Sequence, residues 1–277
     1  MANKKIPLLV EPRVVATSIG SIPLLIHQTY LSNEVPSRMY DSASSWIDKN
    51  PEFEYRFYDD EGCLQLINNH FDGRTAAAYR ALPKGAFRAD FWRYCCLYVY
   101  GGVYADIDTA CLLPLTKLIS KKDRFVVPYG RVNHSFLFNA FLCAEPKHPL
   151  LKTMIDNATD TIESNYGNCD EYTFGRFNAM YAADLGSLNT ASKEAILAAF
   201  SFGLVGPMGL GNMANQLLGR AKGSPFSVGR IKIMESSLRV LRFSSRFGIR
   251  HGIKKVLEYK YDGYEDDLQE SGGNKWF

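Results

Sequence analysis

A chain of 277 residues with 46% hydrophobic and 22% charged side chains can bury a large core, which excludes a disordered polymer. Its net charge of +3 is too small to mark a nucleic-acid-binding surface. Every apolar run is cut by Gly, Pro or charge before it could span a bilayer, and Glu11, Pro12 and Arg13 interrupt the stretch where a signal peptide would be continuous. A cytoplasmic location is therefore the expectation. Cysteines 63, 95, 96, 111, 143 and 169 form no CxxC pair and have no histidine at zinc-site spacing, so buried free thiols are expected.

In chain order, Ile22–His27 is a short apolar run bounded by Gly20-Ser21 and Gln28-Thr29, which predicts a buried strand ending in a polar loop. Ser37–Lys49 reads as a helix stopped by Asn50-Pro51, and Phe53–Tyr58 alternates at period two as a strand does. Asp59-Asp60 can cap a following helix, and another helix is expected from about Asp72 to Leu82. The spacing predicts a helix over Ala86–Tyr100 that ends at Gly101-Gly102, where glycine accepts a left-handed conformation. A very short strand, Val103–Ala105, then delivers Asp106 and Asp108. Arg124–Tyr129 and Phe136–Cys143 read as strands; Leu150–Ser164 and Ala191–Phe200 read as helices. Alternating strands and helices predict an α/β fold with a mostly parallel sheet covered on both faces, its site beyond the strands' carboxyl ends.

Asp106 and Asp108 are the first chemical signal. On an extended segment, residues i and i+2 point the same way, so the two carboxylates could converge on one hard cation, Mn²⁺ or Mg²⁺, that bridges to phosphate oxygens. The bland alternative is a solvated turn. The preceding helix is apolar nearly all round yet carries Asp90 and Arg93, three apart and on one face. Burial of such charges requires partners. They form either an intrahelical pair anchoring the core, with Arg88 beside it, or a pair aimed at a sugar and a diphosphate.

The run Ala89-Asp90-Phe-Trp-Arg93-Tyr followed by Tyr100-Gly-Gly-Val-Tyr104-Ala-Asp106-Ile-Asp108 resembles the DXD-containing sugar-binding region of glycosyltransferase family 32. That group includes yeast outer-chain mannosyltransferases and bacterial capsule enzymes. The same core pattern is similar to the glucosyltransferase domain of large clostridial toxins. Ile22–Tyr30 resembles the opening strand and its H-Q-T/I-W signature, with Tyr30 in place of Trp. The joint pattern covers about Ile22 to Pro114; Asn139 and Gly206-Pro207 fall where the family has short similar features.

The resemblance implies a single GT-A-like domain, its donor half at about 20–130 and its acceptor half and lid at about 131–277. It implies dependence on Mn²⁺ or Mg²⁺ and transfer with retained configuration from a nucleotide sugar, UDP-linked by preference and GDP-linked otherwise, to a glycan, lipid-linked or protein acceptor. By the same resemblance Asp108 would ligate the metal and take part in catalysis with Asp90 and Arg93. Asp106 would touch the donor ribose and reach the metal through water. Asp90 and Arg93 would contact the transferred sugar. Gly102 and Tyr104 would lie beside the nucleotide, and His27, Gln28 and Thr29 would line its pocket; for His27 the alternative is a satisfied strand-end histidine. Late in the chain Asn274 would complete the metal site and Trp276 would close over the donor; for Trp276 the alternative is a simple packing anchor.

Three further readings stand beside this one. Asp106-Ile-Asp108-Thr109 also spells the D-x-D-x-T of haloacid-dehalogenase-like phosphatases, where the first Asp is a nucleophile. A catalytically inactive nucleotide-sugar-binding module would keep the same residues. The acid-free basic run Arg239, Arg242, Arg246, Arg250, Lys254 and Lys255 fits either an anionic membrane surface or lipid diphosphate, or a solvated basic face.

Overall fold

The structure is a computed structural model, and it describes residues 3–15, 19–82, 85–129, 134–164, 203–243, 248–251 and 254–259. A two-stranded ribbon pairs β1 (Lys4–Lys5) with β4 (Glu34–Val35). The main sheet runs β2 (Leu9–Val10), β5 (Glu54–Tyr58), β3 (Leu25–Thr29), β6 (Gly102–Ala105), β9 (Phe141–Ala144), β8 (Phe125–Pro128), β11 (Ser236–Phe243), β12 (Gly248–His251), β13 (Lys254–Tyr259) and β7 (Thr109–Cys111), with β10 (Gly229–Ile233) paired to β11. The helices are α1 (Ser37–Lys49), α2 (Asp60–His70), α3 (Gly73–Ala81), α4 (Ala86–Tyr100), α5 (Pro149–Glu163) and α6 (Pro207–Leu217). No described helix is long and apolar enough to cross a membrane.

Local signals account for most of these boundaries. Asp59 caps α2 by accepting from the Gly62 amide at 2.8 Å, and Asp72 caps α3 through the Thr75 amide at 2.9 Å. Helix α4 ends as its sequence predicts, with Gly101 at φ +64°. Gly102 follows at φ +94°, where an added Cβ would lie 2.7 Å from the Leu25 carbonyl, so glycine lets β6 close on β3. The α/β layering is present on both faces. Trp92 of α4 meets Tyr104 edge-on, whereas Trp46 of α1 stacks on Phe141, the cross-strand partner of Ala105 on the opposite face.

Three features differ from expectation. The sheet is mixed and not mostly parallel: among the described residues only β3–β5, β3–β6 and β8–β11 run parallel. After β6 the chain makes hairpins such as β10–β11 and β12–β13 with no crossover helix, and hairpins are antiparallel. Residues 136–140, expected as strand, bend instead, and strand begins only at Phe141. Asp106-Ile107-Asp108 forms a turn and not an extended segment: the Thr109 amide donates to the Asp106 carbonyl at 3.0 Å. The helix expected at Ala191–Phe200 lies outside the described residues.

The turn has a topological consequence. β6 sits inside the sheet and β7 ends it, yet only residues 106–108 separate them in sequence. The path β6-β9-β8-β11-β12-β13-β7 must therefore curl back until its two ends meet at the acidic turn. Strands from both halves of the chain build this curl, because β11 pairs with β8 and β13 with β7. Part of the basic run also serves the sheet. Arg239 on β11 and Arg230 on β10 both engage the fully buried Asp123 carboxylate, and Arg239 donates to the Leu118 carbonyl at 2.9 Å. Arg242 reaches the Tyr129 hydroxyl at 3.4 Å, and Lys255 pairs with Glu258 at 3.1 Å. Arg246 lies outside the described residues.

Candidate active site

Helix α4 carries Asp90 and Arg93 to the carboxyl end of β6, where they meet the acidic turn. The Arg93 guanidinium, 3% exposed, lies 2.8 Å from Asp90 and 3.0 Å from Asp106 through one terminal nitrogen. Its other N–H groups donate to the Ala89 carbonyl at 3.2 Å and the Asn139 carbonyl at 2.7 Å. The ring of Tyr104 lies beneath it at 4.4 Å, and the Tyr104 hydroxyl donates to the same Asp106 oxygen at 2.6 Å. The reading of Asp90 and Arg93 as an intrahelical pair is met, and the guanidinium also reaches the acidic turn. Arg88 takes no part and caps the Arg80 and Leu82 carbonyls instead.

Asn139 completes the cluster from the bent segment before β9. Its amide donates to Asp90 at 3.0 Å and is 3.1 Å from the Tyr94 hydroxyl. The segment is braced by α6, where Gly211 has no room for a Cβ: one would lie 2.1 Å from the Ser135 carbonyl. Burial pushes the Asp90 carboxyl up to about 7; the Arg93 charge opposes this, the Asp106 charge adds to it and the Asn139 bond opposes it. Burial works against the Arg93 charge, but Asp106 and Asp90 together hold its pKa above the usual value. Asp106 is partly exposed and Asp108 is 5% exposed, so the turn is not the solvated one that its residue types alone would permit. Three carboxylates against one guanidinium leave a locally negative site.

The H-Q-T segment faces the core. His27 is fully buried, with Nε2 3.1 Å from the Gly101 carbonyl, and burial lowers its pKa to about 3. Nε2 makes the contact of a strand-end histidine, whereas the buried Nδ1 has no hydrogen-bond partner among the described residues. Gln28 is also buried: its amide donates to the carbonyls of Ala105 at 3.3 Å and Asp106 at 3.2 Å, while its oxygen accepts from Tyr55 at 2.9 Å. Thr29 donates to the Tyr58 carbonyl at 2.8 Å. The segment anchors the acidic turn from behind, and Gly102 is held in the same way against Leu25. Asn274 and Trp276 lie outside the described residues.

One neighbour was not legible from sequence. Tyr259 on β13 sits opposite Thr109. Burial first, then the charges of Asp108, Asp106 and Asp90, push its phenol well above the ordinary value.

Residues 36–125 match the family described as the glycosyltransferase sugar-binding region containing the DXD motif. Inositol phosphoceramide mannosyltransferase 3 of Schizosaccharomyces pombe is 31% identical over 138 residues, 50% of this chain and 37% of that protein. The initiation-specific alpha-1,6-mannosyltransferase of Candida albicans is 39% identical over 98 residues, 35% of this chain and 26% of that protein. The aligned regions therefore take in well under half of these relatives. Among solved structures, the ligand-free glycosyltransferase domain of the YGT toxin aligns with 71% of this chain and 78% of its own, at 11% identity and a TM-score of 0.49. Asp106–Thr109 falls inside the matched sugar-binding region, which gives the phosphatase reading no support. In this matched region, and over the aligned part of these relatives, the chain is similar to glycosyltransferases that carry the DXD sugar-binding region.

Proposed function

We propose that this protein is a divalent-metal-dependent glycosyltransferase that moves a hexose-type sugar from a nucleotide-sugar donor to a hydroxyl acceptor. The observation that carries the reading is the closed cluster of Asp90, Arg93 and Asp106 around the buried DXD turn, inside a region that matches sugar-binding glycosyltransferases. The two carboxylates of the turn, Asp106 partly exposed and Asp108 enclosed, are oxygen donors of the kind that suits Mn²⁺ or Mg²⁺, hard ions that keep water and substrate phosphate oxygens among their ligands. Asp106 and Asp108 would hold such an ion. When bound, the ion supplies positive charge that offsets the negative charge developing on a departing nucleoside diphosphate.

The chain's own residues do the positioning. Arg93 keeps Asp106 and Asp90 apart and oriented, and Asp90 faces the transferred sugar. The acceptor site falls to the later part of the chain. Transfer retains configuration, as the family likeness suggests. Several relatives are named for mannosyl transfer, three of them as inositol phosphoceramide mannosyltransferases, so GDP-mannose and lipid-linked acceptors belong beside UDP-sugars in any test.

The test is a panel of UDP- and GDP-sugars with Mn²⁺, scored for release of nucleoside diphosphate and free sugar, with wild type run beside Asp108→Asn. Release that requires Mn²⁺ and falls in the variant supports the proposal. Release that survives both EDTA and the substitution sinks it. Donor binding with no turnover toward water or any acceptor would favour the inactive binding module.

A further inference from the structure

Phe138 and Tyr259 are brought together by the curl of the sheet, although they lie in different halves of the chain. β13 lies against β7 with Tyr259 opposite Thr109, the residue that follows Asp108. Its ring meets that of Phe138 edge-on, centroids 5.0 Å apart and planes at 87°. Phe138 precedes Asn139, whose amide holds Asp90, so the ring pair flanks the Asp90 end of the cluster. Both rings are only partly buried while the residues that hold the acidic turn from behind are enclosed. Two partly exposed aromatic rings therefore stand beside the negative site. The charges of Asp108, Asp106 and Asp90 all bear on the Tyr259 phenol.

We infer that Phe138 and Tyr259 form an aromatic wall against which the transferred sugar of a nucleotide sugar lies, with the Tyr259 hydroxyl bonded to that sugar. The inference rests on the glycosyltransferase reading and adds the residues that select the sugar. An aromatic face binds the C–H-rich face of a hexose, and which hydroxyls interrupt that face differs between epimers. A positioned hydroxyl rejects a sugar that lacks its partner more strongly than an apolar surface does.

The test separates sugar from nucleotide. Affinities of UDP and GDP alone, and of the matching UDP- and GDP-sugars, are measured by calorimetry with Mn²⁺ for wild type, Phe138→Ala, Tyr259→Ala and Tyr259→Phe. The expected result is about tenfold weaker binding of the sugar donor in the two alanine variants, with nucleoside diphosphate affinity changed by less than about twofold. Tyr259→Phe, which keeps the ring and the packing, should lose part of that factor and change the ranking among epimeric donors. Equal weakening of donor and nucleoside diphosphate, or unchanged donor binding with Tyr259→Phe ranking donors as wild type does, overturns the inference alone. A wild type that binds neither ligand removes the transferase reading and the wall with it.

Discussion

Arg93 and Asp106 are joined at 3.0 Å across the corner between α4 and β6, and the carboxylate oxygen that Arg93 holds is also the one Tyr104 bonds. One oxygen of Asp106 is thereby committed to the protein. The helix and the acidic turn move as one body, so losing the guanidinium does more than remove a charge. Arg93→Met leaves Asp90 and Asp106 facing each other without their buried partner, at a cost of about 3–5 kcal/mol in stability, readable by urea unfolding. Arg93→Lys keeps the charge but cannot serve four acceptors in fixed directions. It should fold with a smaller loss and still show donor turnover reduced by about a hundredfold.

Asp108→Asn tests the turn without disturbing that corner. The amide has nearly the shape of the carboxylate, so melting temperature should change little. Mn²⁺-dependent release of nucleoside diphosphate should fall by about two orders of magnitude, the scale at which losing a charge-stabilising group lowers turnover. Full activity in this variant would disconnect the turn from the chemistry.

Gln28 supports the same turn through its backbone. Gln28→Leu leaves the Ala105 and Asp106 carbonyls and the Tyr55 hydroxyl buried without that partner, at a cost of about 1–3 kcal/mol. Because it releases the turn and not the donor, the Mn²⁺ concentration needed for half-maximal activity should rise by about fivefold or more, while UDP or GDP affinity at saturating Mn²⁺ changes less. Titrating Mn²⁺ against activity checks this.

Acid should destabilise the fold through two histidines. Burial lowers His27 to about 3 and His148 to about 4, both from 6.5, so each is neutral in the folded state. Below pH 6.5 the unfolded chain binds protons that the folded chain refuses. Stability is therefore fully present above 6.5 and falls with pH, by about 1.4 kcal/mol per unit for each histidine until its folded pKa is reached. His27→Gln should flatten that decline between pH 6.5 and 4, measured by denaturant unfolding at a series of pH values.

Much of the site was readable because its parts are local. Asp90 and Arg93 share one turn of a helix, Gly101-Gly102 announces the helix end, and the DXD follows within a few residues. The direction in which the H-Q-T segment faces was not readable, because a strand buried on both faces has no polar side to betray its orientation. Nor was the fate of Arg239: its partner Asp123 belongs to a distant turn, and a row of cations looks the same in sequence whether it meets solvent or a buried carboxylate. Tyr259 was hidden for a similar reason, since only the order of strands in the sheet places it beside Thr109.

Asp123→Asn probes that distant pairing. The carboxylate is fully buried between Arg230 and Arg239, so neutralising it leaves Arg239, itself largely enclosed, without its counter-charge. A loss of about 3 kcal/mol is expected. It should appear first as faster amide exchange along β10 and β11, measured by hydrogen–deuterium exchange with mass spectrometry.

The parallel contact between β8 and β11 sets the timetable of biosynthesis. Phe125–Pro128 is buried along its whole length; β9 covers one edge of it soon after synthesis, with Ala144 opposite Phe125, but the other edge waits for Leu238 on β11. A ribosome delivers the first strand long before the second, and until then an apolar strand stands with unsatisfied amides and carbonyls along one side. Nascent chains stalled in that interval will be clients for chaperones.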